Sequence, residues 1–279
     1  MLKGLAHALR NAAYADYHLV RTTHEWASVF TIEGARGRKV RVLDVGGAFQ
    51  SATYIDKHRF EPVFEYYRMF DTVFHCDTPV RHVLMIGGGG CSWPKHAATA
   101  HARLTIDVAE SDPAVIDIAR RYFFVRELEQ PSPDHGTVRL IAADGRSYLE
   151  KTEDKNGEAV IYDAILNDAF QGAAPALNLA TVEAARVFAF HLRPQGVYLA
   201  NVVSRDEGSD LSFLRDTVAT LREAFPYVQV IPCPDADYSD EDNFLVAASH
   251  QELTLKDSLP YDSEFVGTPL YDGDICGNA

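Results

Sequence analysis

Five short apolar runs, each next to residues with chemistry to offer, constrain this chain more than any other feature. The run at 83–86 leads into Gly87-Gly88-Gly89-Gly90, and the run at 104–109 stops at Glu110. The run at 138–142 is closed by Asp144-Gly145, and the run at 164–166 by Asn167-Asp168. The fifth, at 197–203, follows Pro194-Gln195-Gly196. Helical patterns separate most of them. The clearest opens at Ser111-Asp112-Pro113, a cap residue followed by proline in the first turn. Val115, Ile118, Ala119 and Tyr122 then share one helix face. Alternating strands and helices predict a parallel sheet with helices on both faces. Runs at 227–231 and 244–248 have only an acidic, proline-containing loop between them, so they are expected to pair antiparallel.

The flanks read differently. Alternating runs at 29–33, 39–44 and 50–55, punctuated by Gly34, Gly37, Gly46 and Gly47, predict a small antiparallel β unit over residues 1–60. A helix is expected over 61–74, leading into a nucleoside-binding unit that extends to residue 252. Residues 253–279 read as an irregular acidic tail. The formal net charge of −14 argues against nucleic acid as a partner, since such proteins carry basic patches. Cys76, Cys91, Cys233 and Cys276 lack C-x-x-C spacing, so neither zinc nor any other metal is expected. With no apolar run near the N-terminus and none of membrane-spanning length, the reading is a cytoplasmic protein with no membrane partner. His75, His82, His96, His101 and His191 show no paired spacing and read as structural or surface residues.

In open α/β sheets, ligands bind beyond the carboxyl ends of the strands. Four glycines there let the backbone approach a ligand closely, although they also suit a plain turn. Glu110, 23 positions after Gly87, can accept from both ribose hydroxyls. Dinucleotide-binding chains share that acid, but their third glycine is Ser92 here. Asp144 can accept from an adenine amino group, or simply cap a helix. Asp168 can take a proton from an amine nucleophile or hold it in line, or serve as a turn acid.

Taken in order, VLMIGGGG, DVAESDPAVIDIARRYF, VRLIAADGRSYLE, YDAILNDAF and LRPQGVYLANV resemble the successive motifs of the spermidine synthase family. Upstream, LDVGGAFQSATYID and FEYYRMF are similar to its N-terminal strand and tyrosine-bearing segment. The resemblance implies a Rossmann-like class I methyltransferase fold preceded by the β unit. It assigns Glu110 to ribose, Asp144 to adenine and Asp168 to activation of the attacking amine. Tyr66 would stand near that amine and Gln50 near the nucleoside. Gly87, Gly88, Gly89, Gly90 and Gly145 complete the expected nucleoside site.

The chain also departs from the family pattern. An aspartate is usual where Gly90 stands, and a second one where Gln171 stands. The family's tyrosine-proline motif is not evident around 232–242. The aspartate at the Gly90 position would favour a nucleoside ending in an amine and repel a carboxylate. Glycine there predicts weak discrimination between the two, unless it is needed only for backbone reasons. Three readings follow. The first is aminopropyl transfer from decarboxylated S-adenosylmethionine to a small polyamine-type amine. The second is methyl transfer from S-adenosylmethionine to a small acceptor, and the third a non-catalytic nucleoside-binding or interaction protein. The resemblance also implies a homodimer.

Overall fold

A computed structural model describes residues 9–34, 37–76, 78–171, 174–205, 211–233, 241–259 and 262–275, without the side chains of residues 171, 204, 205, 241 and 242. Cys276 and residues 234–240, part of the 232–242 stretch, lie outside the described residues. Four strands form an antiparallel sheet in sequential order: β1 (Ala15–Arg21), β2 (Trp26–Glu33), β3 (Lys39–Val45) and β4 (Ala48–Tyr54). The sequence pattern predicts three of these and misses β1. That strand is an edge with no fully buried residue, interrupted by a bulge near Asp16, so it lacks the alternation that marks a half-buried strand.

The segment at 61–74 is not one helix. A single α-turn, α1 (Tyr66–Met69), passes into a 3-10 helix, Phe70–His75. The buried residues explain this, because Phe64, Tyr67, Phe70 and Val73 recur every third position. That spacing suits three residues per turn better than 3.6.

The main sheet has seven strands. They are β5 (His82–Ile86), β6 (Thr105–Glu110), β7 (Thr137–Ala142), β8 (Tyr162–Asn167), β11 (Leu192–Arg205), β12 (Tyr227–Cys233) and β13 (Glu241–Ser249). A two-residue pair, β9 (Phe170–Gln171) and β10 (Ala174–Pro175), stands apart. The order across the sheet is β12-β13-β11-β8-β5-β6-β7. Only β13 runs antiparallel to its neighbours, inserted between β11 and β12. The central strands β5 and β8 are almost wholly buried, as runs covered on both faces must be.

The covering helices are α2 (Ser92–Ala100), α3 (Pro113–Tyr122), α4 (Gly145–Lys151), α5 (Val182–Phe190) and α6 (Ser212–Arg222), with a short α7 (Asp272–Ile275) near the C-terminus. In α3, Asp112 accepts from the Ala114 amide as its cap. Its other oxygen accepts from the Thr23 amide, 2.7 Å away, tying the N-terminal sheet to the main one. Ala27, Val29 and Leu43 from that sheet pack with Ile118 and Phe123 in a shared core. Fully burying such side chains stabilises by roughly 1.5–3 kcal/mol each. The two β units are thereby joined across the loops where β5 and β6 end.

Candidate functional site

The glycine loop after β5 is built against Glu110. The Gly88 and Gly89 amides donate to Glu110 Oε2 at 3.0 and 3.2 Å, and the Asp112 amide donates to Oε1 at 3.0 Å. A carboxylate offers about four acceptor positions, so roughly one remains for a ligand hydroxyl. Gly87 has φ +86°, and a Cβ there would lie 2.5 Å from the Asp168 carbonyl oxygen. Glycine is therefore required at this crossing of the ends of β5 and β8. Gln50 lies beside the loop, its carbonyl oxygen 3.5 Å from where a Gly89 Cβ would stand.

Gly90 has a different reason to be glycine. A Cβ there would stand 2.5 Å from the Phe123 ring and 2.7 Å from Ser51 Oγ. The residue is buried, and the space a side chain would need is already filled. Behind it, Lys95 of α2 is 1% exposed, donating to the Phe123 carbonyl at 2.7 Å and to Thr53 Oγ1 at 3.2 Å. Burial pushes its amine down to about 7. Cys91 next to the loop adopts φ +55°, and burial pushes its thiol up to about 12.

Asp168 is half-buried just past β8, and its partners Asn201, Tyr66 and Tyr67 are all neutral. Asn201 Nδ2 of β11 donates to Oδ1 at 2.8 Å, and the Tyr66 hydroxyl approaches Oδ2 at a long 3.4 Å. Tyr67 adds a third hydrogen bond. Burial nevertheless dominates and pushes the carboxyl up to about 7. The two tyrosine rings lie 4.2 Å apart, and burial raises both phenols. Tyr67 also hydrogen-bonds Ser51 and Tyr66, so β4 and α1 close the site over the end of β8. Asn201 is 8% exposed, and its Oδ1 is buried without a hydrogen-bond partner. Such an atom is costly unless something donates to it.

Asp144 caps α4. Its Oδ1 accepts from the Ser147 amide and its Oδ2 from Asn178 Nδ2, both at 2.9 Å. Gly145 is packed so closely that a Cβ would stand 2.3 Å from Ile86 Cγ2. The structure thus gathers Tyr66 and Asp168 into one hydrogen-bonded group, and Glu110 with Gly88 and Gly89 into another. Asp144 lies beyond β7 with Gly145 sealed against β5. The side chain of Gln171 lies outside the described residues.

Sequence reasoning missed Tyr67, Asn201, Ser51 and Lys95. Asn201 carried a signal, being one amide inside the otherwise apolar run at 197–203. The histidines do hold structural partners: His82 meets Asp107, His96 meets Asp71, and His191 meets the Val160 carbonyl. Among the described residues, no group of three or more His, Cys, Asp or Glu is arranged to hold a metal, and no helix is long and apolar enough to cross a membrane. A small open cleft of about 30 Å³ is lined by residues that include Tyr198, Ala200 and Val202. Asn201 and Ala169 line it as well, so the cleft borders the Asp168 group.

Known proteins resemble this chain in sequence and fold. The chain is 32% identical over 159 residues to a polyamine aminopropyltransferase from Vibrio vulnificus, covering 57% of this chain and 50% of that protein. It is 30% identical over 149 residues to an eEF1A lysine and N-terminal methyltransferase homolog from Drosophila melanogaster, covering 52% of this chain and 20% of that one. The chain therefore spans half or less of the length of these two relatives. The solved structure of a probable spermidine synthase from Corynebacterium glutamicum shares the fold, with a TM-score of 0.67 at 20% identity over 85% of this chain and 81% of that one. The spermine/spermidine synthase domain model matches residues 63–257, and the chain belongs to that family.

Proposed function

We propose that this protein transfers an aminopropyl group from decarboxylated S-adenosylmethionine to a polyamine-type amine. The carrying observation is Asp168, a half-buried carboxyl pushed up to about 7 and surrounded by the neutral donors Asn201, Tyr66 and Tyr67. A group that ionises near neutral pH is suited to take a proton from an ammonium ion and hold the resulting amine in line. The amine nitrogen then bonds to the carbon next to the sulfonium. The carbon–sulfur bond breaks, and sulfur leaves with the electron pair as a neutral thioether. The nitrogen leaves in the product as a secondary ammonium, and Asp168 returns to solvent the proton it took from the substrate. In this reading Asn201 Oδ1 accepts an N–H of the bound amine, which would give that buried oxygen a partner. Glu110, Asp144, Gln50 and the glycines Gly87–Gly90 and Gly145 hold the nucleoside. Their support is the cradle itself, in which Gly87 and Gly145 leave no room for a side chain.

The test is calorimetric titration with S-adenosylmethionine and with its decarboxylated form, each with and without putrescine, followed by product analysis. Aminopropylated putrescine is the expected product. Methylated product from intact S-adenosylmethionine would replace this reading with methyl transfer. No binding of either nucleoside at millimolar concentration would defeat both.

A further inference from the structure

Residues 262–275 lie beyond the stretch matched by the family model, and they are stitched to three helices in turn. The Arg215 guanidinium of α6 stands 5.3 Å from the centre of the Phe265 ring. Gly267 presses on the same helix, where a Cβ would meet the Arg215 carbonyl at 2.1 Å. The Thr268 amide donates to Asp216 at 2.7 Å, and the Leu270 amide to Thr220 Oγ1 at 3.0 Å. The Leu270 carbonyl then accepts from the Val182 amide of α5 at 2.8 Å.

The segment finishes on Asp272. Both of its oxygens accept from Arg146 of α4, at 2.7 and 2.8 Å, in a paired fork. Thr181 Oγ1 donates to the same carboxylate at 2.8 Å, and the Asp272 amide donates to Glu183 at 3.0 Å. Arg146 stands two residues after Asp144. The helix it belongs to has only seven residues, too short to hold its own place without tertiary contacts. Three contacts fix it near its start: Gly145 against Ile86, Asp144 to Asn178, and Arg146 to Asp272.

We infer that the Asp272–Arg146 pair is a positioning clasp, by which the C-terminal segment sets the placement of Asp144 and hence nucleoside affinity without touching the nucleoside. This rests on the assignment of Asp144 to the nucleoside site. Asp272 bonds Arg146, Thr181 and Glu183, none of which is a hydrogen-bond partner of Asp168, so its loss should be felt in binding and not in the chemical step.

The experiment uses the full chain with Asp272→Ala and Asp272→Glu. Affinity for 5′-methylthioadenosine is measured by calorimetry, kcat and KM for the sulfonium substrate by product assay, and Tm by calorimetric melting. Asp272→Ala should weaken methylthioadenosine binding about three- to tenfold and raise KM by a similar factor, the range for residues that couple to a site without contacting it. Its kcat should stay within about twofold, and Asp272→Glu should recover much of the affinity. A lower Tm with unchanged affinity would overturn the inference and leave the pair a stability contact. A fall in kcat at unchanged KM would overturn it as well. Failure of the wild type itself to bind methylthioadenosine would refute the nucleoside assignment instead, and the clasp with it.

Discussion

Removing the Asn201 amide should move the pH dependence of turnover in a direction that follows from the geometry. Asp168 ionises at about 7 instead of near 3.8, a bias of about 4 kcal/mol against its charged form. Burial raises it, while the Asn201, Tyr66 and Tyr67 donors pull it back down. The Asn201 bond is shorter than the Tyr66 bond, 2.8 Å against 3.4 Å. A hydrogen bond to a charged group is worth about 1.5–3 kcal/mol, or roughly one to two pH units at 1.36 kcal/mol each. Asn201→Leu keeps the approximate size and removes the donor. The base is active when ionised, so kcat/KM falls as pH drops through its pKa. In wild type the acid limb should lie at about 7. In the variant it should move up to about 8–9, lowering kcat/KM roughly three- to twenty-fivefold at pH 7.5. Near pH 9.5 the two enzymes should converge to within a few-fold. The assay is a pH series of initial rates for both proteins on the same substrates, so that titration of the substrate amine is common to both. An acid limb that stays in place, or moves down, would refute the assignment of Asp168 as the titrating base. Loss of rate by the same factor at every pH would refute the role given to Asn201.

Asp168→Asn should abolish turnover, leave methylthioadenosine affinity within a few-fold, and stabilise the protein above neutral pH. The folded pKa of Asp168 is raised, so wild type loses stability as pH climbs from 3.8 through about 7. The variant's advantage should therefore approach about 4 kcal/mol by pH 8 and fade towards pH 4, read by urea unfolding. Lys95 behaves in the opposite sense, because its folded pKa of about 7 is depressed below 10.5. Its penalty is full below pH 7 and is relieved as pH rises towards 10.5, so the stability gap between Lys95→Met and wild type should shrink by about 2 kcal/mol from pH 7 to pH 9. Gly90→Asp should destabilise by about 1–3 kcal/mol through overpacking against Phe123 and weaken S-adenosylmethionine and its decarboxylated form alike, checked by melting and paired titrations. Selective tightening of the decarboxylated form would show instead that the new carboxylate reaches the ligand.

The strand ends of this chain were legible because a strand buried on both faces is written as an apolar run, and the chain must surface where the run stops. That logic located Glu110, Asp144 and Asp168 from local sequence alone. It fails for β1, a polar edge strand whose pairing with β2 is carried by backbone hydrogen bonds that leave no trace in residue type. It fails again at 61–74, where the apolar spacing of three reads as helix without saying which kind.

The site partners were hidden for a third reason, since they depend on neighbours distant in sequence. Asn201 meets Asp168 across 33 positions, and Lys95 meets the Phe123 carbonyl across 28. Gly90 shows what such distance does to an inference. Judged from its own loop, a glycine where the resembled family pattern has aspartate looks like a change of charge in a binding pocket. Seen with Phe123 and Ser51 around it, the position has no volume for any side chain. Under the proposed aminopropyl transfer, discrimination between an amine and a carboxylate at the end of the nucleoside would then fall to other groups, among them the Tyr66 and Tyr67 hydroxyls beside Asp168. Those groups are neutral, and the one ionisable acid they surround is charged only above about pH 7. Preference for the decarboxylated nucleoside should accordingly sharpen as pH rises through that value, because a carboxylate is repelled only once Asp168 is ionised. A preference unchanged between pH 6 and pH 8.5 would show that the discriminating group lies elsewhere.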